Sequence, residues 1–254
     1  SEDTSKGYIY ICGGKINITS TTDAIQAETT LTIEKGEINL KTGGGSENSS
    51  KTSGGKDNPQ WGKWGQEDSS TTEEDTASAK GLKAGGDIKI SNATITTDTS
   101  DDSIHSNSNV TIESGTFNLK SGDDGIHADT STVINNGNIV IEKSYEGIEG
   151  SNVTINGGTI ELTASDDGIN SAGGSDSSSM GGRMGQNSFT ENSDIYIKIT
   201  GGKVTVDASG DGLDSNSNLI IEGGEIYVNG PTNDGNGALD YDGTATISGG
   251  TFVA

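Results

Sequence analysis

Paired carboxylates recur at a nearly constant interval along this sequence. The motif Asp-Asp-Gly-Ile-His at 123–127 returns in altered form at 101–105, 145–149, 166–170 and 210–214. The central apolar residues of four successive copies, Ile104, Ile126, Ile148 and Ile169, are separated by 22, 22 and 21 residues. Oxygen-rich side chains at this density are suited to binding hard cations. A fixed period of this length is also typical of solenoid proteins, in which equivalent residues of successive coils stack.

Stacked carboxylates need a compensating charge. Equivalent residues of neighbouring coils lie about 4.8 Å apart, and two carboxylates at that distance repel by roughly 3–4 kcal/mol at an effective dielectric constant near 20. Ca²⁺, which takes about six to eight oxygen ligands, can relieve this repulsion. We therefore predict more than one Ca²⁺ site along ten residues, called the acidic ladder below: Asp101, Asp102, Asp123, Asp124, Glu146, Glu149, Asp166, Asp167, Asp211 and Asp214.

The acidic ladder divides into three candidate metal sites. The first is formed by residues 101–102 and 123–124, and the second by residues 146, 149, 166 and 167. The third contains residues 211 and 214, with Asp240 as a further ligand. Aspartates also form turns on solvated edges, which is the alternative interpretation. Turn formation alone does not explain a doubled Asp in several coils, so we favour the metal sites.

Imidazole and aromatic side chains near the ladder are candidates for ligand binding. His105 and His127, the only histidines, stand at equivalent positions of neighbouring repeats. We expect them to stack on the surface, because soft-metal sites usually have more nitrogen or sulfur ligands. Tyr145 interrupts the ladder and could stack on a sugar ring. Trp61 and Trp64 either stack on sugars or fold back onto the flank of the solenoid.

Three short apolar stretches in each repeat must position the ladder. In one repeat they lie at 110–112, 117–119 and 126–128, and we call them the first, second and third strand types. Apolar and polar residues alternate in them, which predicts strands with one buried face. Three strands per coil of about 22 residues, without helical periodicity, predict an all-β fold. Its architecture is a parallel β-helix of about eight or nine coils.

The domain organisation follows from the repeat. Residues 1–254 are predicted to form a single β-helix domain with loop insertions at about 43–79 and 173–192. A glycine commonly precedes the second strand type by two residues, where a positive φ at a tight corner costs Gly little. Those glycines are Gly14, Gly36, Gly115, Gly137, Gly158, Gly202 and Gly224.

Composition narrows the class of protein. A hydrophobic content of 28% with a net charge of −23 would suggest disorder, but a solenoid buries only a thin continuous core. With 15 basic against 38 acidic residues, nucleic acid is not an expected partner. No segment reaches the roughly 18 apolar residues of a membrane span. The single cysteine, Cys12, excludes an internal disulfide and is expected to be buried. Abundant Ser, Thr, Asn and Gly suit an extracellular or cell-surface protein, and the oligomeric state is left open.

The corner motifs resemble those of a known family. Asp-Asp-Gly-Ile-His at 123–127, Asp-Gly-Leu-Asp-Ser-Asn-Ser-Asn at 211–218 and the Thr-Ile-x-Gly-Gly-Thr-Ile coil at 154–160 resemble secreted clostridial carbohydrate-binding β-helix proteins. That family is similar to the polysaccharide lyase family 9 pectate lyases. The resemblance covers about residues 13–253 without the insertions. It implies a right-handed parallel β-helix, Ca²⁺, and binding to plant cell-wall polysaccharide, notably acidic pectin (polygalacturonate) and cellulose.

Three functions are compatible with this resemblance. Our leading hypothesis is a non-catalytic, Ca²⁺-dependent polysaccharide-binding protein. The first alternative is a Ca²⁺-dependent pectate lyase, since such lyases use an Asp cluster for Ca²⁺ and a lysine base. Lys120 or Lys143, one coil apart, would be that base, but only residues 210–214 keep the Asp-x-x-Asp ending of the lyase pattern. The second alternative is a structural or adhesive cell-surface module.

Overall fold

Stacked coils of parallel strands build this protein. The computed structural model describes residues 6–49, 78–172, 195–232 and 234–254. Across these ranges the chain is an all-β parallel β-solenoid of nine coils, each about 22 residues long where no insertion intervenes. Helical structure in the same ranges is limited to one 3₁₀ turn, Ser46–Asn48. The predicted fold class is therefore confirmed.

Each strand type forms its own column of the solenoid. The first type comprises β1 (Ile9–Ile11), β4 (Leu31–Ile33), β7 (Ile88–Ile90), β10 (Asn109–Ile112), β17 (Tyr196–Ile199), β20 (Asn218–Ile221) and β23 (Ala245–Ile247). The second type comprises β2 (Lys15–Ser20), β5 (Gly36–Thr42), β8 (Ala93–Thr99), β11 (Gly115–Lys120), β13 (Asn138–Ser144), β15 (Thr159–Ala164), β18 (Lys203–Ala208), β21 (Glu225–Asn229) and β24 (Thr251–Val253). The third type comprises β3 (Ile25–Ala27), β6 (Leu82–Ala84), β9 (Ile104–Ser106), β16 (Ile169–Ser171), β19 (Leu213–Ser215) and β22 (Leu239–Tyr241). Two longer strands, β12 (Ile126–Ile134) and β14 (Ile148–Ile155), begin as the third type and end as the first type of the next coil.

The pairing register confirms the period found in the sequence. Ile104 pairs with Ile126, Ile126 with Ile148, and Ile148 with Ile169, in parallel strands. Ile169 then pairs with Leu213 across the second insertion. Residues at equivalent motif positions are thus direct neighbours, so the acidic ladder runs along one corner of the solenoid.

The core is a set of stacked aliphatic side chains. Alternate residues of each strand point inward, and Ile104, Ile126 and Ile148 are fully buried. At the corner between the first and second strand types, the glycines before the second type all have positive φ, as predicted. A Cβ on Gly158 would lie 2.7 Å from the carbonyl oxygen of Gly137. Close stacking of the coils therefore requires Gly there for space as well as for backbone conformation.

The two predicted insertions fall at different corners. One interrupts the chain between β5 and β6, and the other between β16 and β17. Most of both insertions, together with Trp61 and Trp64, lies outside the described residues, and these predictions remain untested. In the described ranges, no helix is long and apolar enough to cross a membrane.

The burial of Cys12 was predicted wrongly. Its side chain is exposed, because it follows the last residue of β1 at the turn leading into β2. Apolar neighbours in the sequence therefore did not indicate which way this side chain points.

Candidate functional site

Most of the acidic ladder lies at the turns that precede third-type strands, whereas Glu149 and Asp214 lie within β14 and β19. Backbone hydrogen bonds join successive turns. The amide of Gly125 donates to the carbonyl of Glu146 (3.0 Å), and the amide of Gly147 donates to the carbonyl of Asp167 (3.1 Å). A Cβ on Gly125 would lie 2.6 Å from the oxygen of Gly147, and one on Gly147 would lie 2.3 Å from that of Gly168. The glycine of the motif therefore allows the coils to approach, while the acids beside it are brought into register.

A lysine from the preceding coil neutralises the first carboxylates of the ladder. Lys80 Nζ lies 2.8 Å from Asp101 Oδ1 and also contacts Asp102 Oδ2. Asp102 is fully buried, and its Oδ1 accepts a 3.0 Å hydrogen bond from the backbone amide of Asp124. Burial opposes the charge on Lys80, but Asp102 and Asp101 outweigh it and raise the pKa of Lys80. Burial also opposes ionisation of Asp102, yet Lys80 and His105 hold its pKa well below the usual range.

The two histidines stack, but they do so inside the corner. Their ring centroids are 4.7 Å apart and their planes differ by 7°, which confirms the predicted stack. The predicted surface position is wrong, because His127 is fully buried and His105 is 7% exposed. Polar side chains contact both ring nitrogens of His105. His105 Nδ1 lies 2.7 Å from Asp102 Oδ2, and its Nε2 lies 3.0 Å from Asn107 Oδ1.

Three carboxylates surround His127. Its Nδ1 lies 2.5 Å from Glu149 Oε2 and 3.2 Å from Asp124 Oδ2, and its Nε2 lies 3.1 Å from Asp129 Oδ1. Burial disfavours the imidazolium ion, but Asp124 and Glu149 outweigh it and raise the pKa of His127 to about 12. Burial and the charge of Asp123 raise the pKa of Asp124 well above its usual range. His127 is therefore a cation at neutral pH and compensates the middle of the ladder.

Beyond His127 the described residues provide no basic partner for the ladder. Ligand atoms of Asp167, Asp211 and Asp214 lie within 4.8 Å of one another, so the structure joins parts of the second and third predicted sites. Burial and the charge of Asp166 raise the pKa of Asp167 to about 7. Burial and the charge of Asp211 raise the pKa of Asp214 to about 7. Both shifts combine the cost of burying a charge with repulsion from neighbouring carboxylates. Asp240, the further predicted ligand, pairs in register with Asp214 and is exposed.

Asn170 lies within this uncompensated part of the ladder. It pairs in register with Glu149 on one side and Asp214 on the other. Its Nδ2 donates a 2.9 Å hydrogen bond to Glu146 Oε2, whereas its buried Oδ1 accepts none from the described residues. Burial and the charge of Glu149 raise the pKa of Glu146 well above its usual range. A buried amide oxygen without a donor is costly, and Ca²⁺ accepts such oxygens as ligands.

The remaining predicted residues lie along the flank of the ladder. Tyr145 is half-buried. Lys120 and Lys143 pair across neighbouring coils, as predicted, and each is ion-paired at 2.8 Å with a glutamate outside the ladder, Glu142 and Glu47 respectively. The hydrogen bond to Glu142 raises the pKa of Lys120, which opposes its use as a general base.

Sequence reasoning missed the basic end of this corner. Lys80 was not considered, nor was Lys83, whose Nζ lies 3.1 Å from Asp23 Oδ2. A signal was present, because Lys-Gly-Leu-Lys at 80–83 has the same spacing as Asp-Gly-Ile-His at 124–127. In that copy, lysines replace both the ladder carboxylate and the histidine.

Fold and site together define a parallel β-solenoid with a corner ladder of carboxylates. Within the described part of the chain, internal cations compensate this ladder only as far as Glu149. A family model described as carbohydrate-binding domain-containing protein matches residues 1–125 and 108–188. These segments span more than half of the chain, which therefore belongs to this carbohydrate-binding family. Searches of curated proteins and of solved structures gave no match. None of the comparisons supports a similarity to the family 9 pectate lyases.

Proposed function

We propose that this protein binds acidic plant cell-wall polysaccharide, with polygalacturonate as its ligand, through Ca²⁺ held at the end of the ladder where the described residues provide no cation. Family membership supports carbohydrate binding. The observation that carries the finer proposal is the group formed by Asp167, Asp211 and Asp214. Asn170, whose buried Oδ1 has no described donor, pairs in register with Asp214.

The chemistry of this group favours Ca²⁺ over other common cations. Its donors are oxygens only, which suits Ca²⁺ and Mg²⁺ rather than Zn²⁺ or copper. Mg²⁺ requires a nearly ideal octahedron of short bonds, whereas Ca²⁺ tolerates irregular sets of about six to eight oxygens. Carboxylates fixed on successive coils, with an amide oxygen and water, form an irregular set. Binding would also offset the burial and the repulsion that together raise the pKa values of Asp167 and Asp214.

Bound Ca²⁺ would also reconcile the charge of the protein with that of its ligand. A chain with a net charge of −23 repels a uronate polymer. Asp211 and Asp214 are half-buried, and Asp240 is exposed. An ion at this position can therefore keep ligand positions open to solvent, where a uronate carboxylate can replace water. The proposal includes an extracellular or cell-surface location, where Ca²⁺-binding modules have dissociation constants of about 10⁻⁴–10⁻³ M.

The test is retention of the protein on immobilised polygalacturonate, fully methyl-esterified pectin and cellulose, each with Ca²⁺ or EDTA. We expect retention on polygalacturonate in Ca²⁺, and its loss in EDTA and in the Asp167→Asn variant. Asp207→Asn is the matched control, since Asp207 is an exposed aspartate of β18. Undiminished retention in EDTA would exclude bridging by Ca²⁺. Equal retention on the esterified polymer would exclude recognition of the carboxylate.

A further inference from the structure

We propose that the ammonium group of Lys80 takes the place of a metal ion at the first carboxylates of the ladder, so that this end binds no divalent cation. The inference rests on the proposed function in one respect, namely that carboxylate groups of this ladder take up divalent cations. It adds that metal dependence is confined to one end of the solenoid.

The two ends of the ladder offer similar groups of ligands. Asp101, Asp102 and Asp123 place ligand atoms within 4.8 Å of one another, as Asp167, Asp211 and Asp214 do. Only the first group has a cation among its described partners. Its carboxylates are also the more deeply buried, with Asp102 fully buried and Asp123 5% exposed.

Lys80 occupies a ladder position of its own coil. It precedes Leu82 by two residues, as Asp102 precedes Ile104, and the backbone amide of Gly81 donates a 2.9 Å hydrogen bond to the carbonyl of Asp102. The lysine thus replaces a ladder carboxylate in the coil adjoining Asp102. This exchange removes one negative charge from the stack and adds one positive charge.

An ammonium group and a metal ion cannot share this position. Lys80 Nζ contacts Asp102 and lies 2.8 Å from Asp101, whereas Ca²⁺ would need to lie about 2.3–2.6 Å from the same oxygens. The two cations would overlap and repel each other. The Lys80 side chain is only 8% exposed, so it has little freedom to move aside for an incoming ion.

The test is Ca²⁺ stoichiometry by isothermal titration calorimetry of the wild type, Lys80→Ala and Lys80→Arg. Alanine vacates the position and leaves the carboxylates uncompensated, so we expect one additional ion per chain. Arginine keeps the charge, so its stoichiometry should equal that of the wild type. A folded Lys80→Ala variant with wild-type stoichiometry would overturn the proposal.

A second measurement covers the case in which Lys80→Ala does not fold without metal. Hydrogen exchange of the wild type should show Ca²⁺-dependent protection in β16 and β19, and none in β6 and β9. Protection of β6 or β9 by Ca²⁺ would show that metal binds with Lys80 in place, which contradicts the inference. A wild type that binds no Ca²⁺, beside a Lys80→Ala variant that binds one ion, would defeat the proposed function but support this inference.

Discussion

Replacing Asp214 with asparagine should stabilise the metal-free protein at high pH and weaken its binding of Ca²⁺. In the metal-free protein, Asp214 lies within 4.8 Å of two other ladder carboxylates, and each ionised pair repels by about 3.5 kcal/mol at an effective dielectric constant of 20. Burial, followed by the charges of Asp211 and Asp240, raises its pKa from 3.8 to about 7, which corresponds to about 4 kcal/mol lost when the group is ionised in the fold. Asparagine removes both the burial of a charge and the repulsion.

The sign of the effect depends on pH. Folding raises the pKa of this carboxyl. Such a group contributes its full stability at pH values below its pKa in the unfolded chain, and it loses that contribution as the pH rises through its pKa in the folded protein. Without Ca²⁺, Asp214→Asn should therefore increase the free energy of unfolding by about 2–4 kcal/mol at pH 8, and by almost nothing at pH 4. With Ca²⁺ at pH 8, the variant lacks a charged ligand. Its affinity for the ion should fall at least tenfold, or about 1.4 kcal/mol.

The assay is urea unfolding combined with hydrogen exchange of β16 and β19, since coils of a solenoid can open locally. Samples contain either EDTA or saturating Ca²⁺, at pH 4 and pH 8. Asp207→Asn provides the same charge change on the other sheet and should behave as the wild type. Destabilisation by Asp214→Asn in EDTA at pH 8 would refute the repulsion. An unchanged affinity for Ca²⁺ would show that Asp214 is not a ligand of the ion.

Three further predictions concern the same corner. The metal-free wild type should lose stability between about pH 4 and pH 8, because the pKa values of Asp167 and Asp214 are raised to about 7. Thermal unfolding in EDTA measures this loss, and a midpoint temperature that does not change with pH would contradict the prediction. Calorimetric titrations should show weaker Ca²⁺ binding by Asn170→Ala and stronger binding by Asn170→Asp, because the Asn170 Oδ1 is a neutral ligand in the proposed site. Equal affinities of the two variants would exclude Asn170 as a ligand. His127→Ala should cost about 3–5 kcal/mol of stability, because it leaves buried carboxylates without their cation. His127→Lys should retain part of the stability that His127→Ala loses, as measured by urea unfolding. A smaller loss of stability in His127→Ala than in His127→Lys would show that the positive charge of His127 does not stabilise the fold.

The architecture was predictable because its determinants are local and repeated. Alternation in stretches such as 110–112 predicts a strand wherever it occurs, and the interval from Ile104 to Ile126 fixes the register. The stacking of Asp102 on Asp124 follows from that register alone. These features require no knowledge of the surrounding side chains.

What could not be predicted depends on contacts across the corner. His127 is enclosed by side chains of its own strand and of the next coil, Asp129 and Glu149 respectively. Lys80 was hidden because the insertion at about 43–79 breaks the period immediately before it. The unpaired oxygen of Asn170 could be recognised only after its amide nitrogen was found bonded to Glu146.

The corner resolves one electrostatic problem in two ways along its length. Stacking brings carboxylates close together in every coil, but Lys80 and His127 compensate them at one end. Beyond Glu149 the described chain provides an amide and further acids instead, at Asn170 and Asp214. A buried internal cation fixes its partners permanently, whereas an exchangeable ion can also coordinate something outside the protein. The proposed Ca²⁺ would therefore be able to coordinate a polysaccharide only at the carboxylates of Asp167, Asp211 and Asp214. A uronate chain should contact the solenoid at this end of the ladder only. Exchanging the charges at the two ends should therefore move the polysaccharide-binding surface while leaving the coil architecture unchanged.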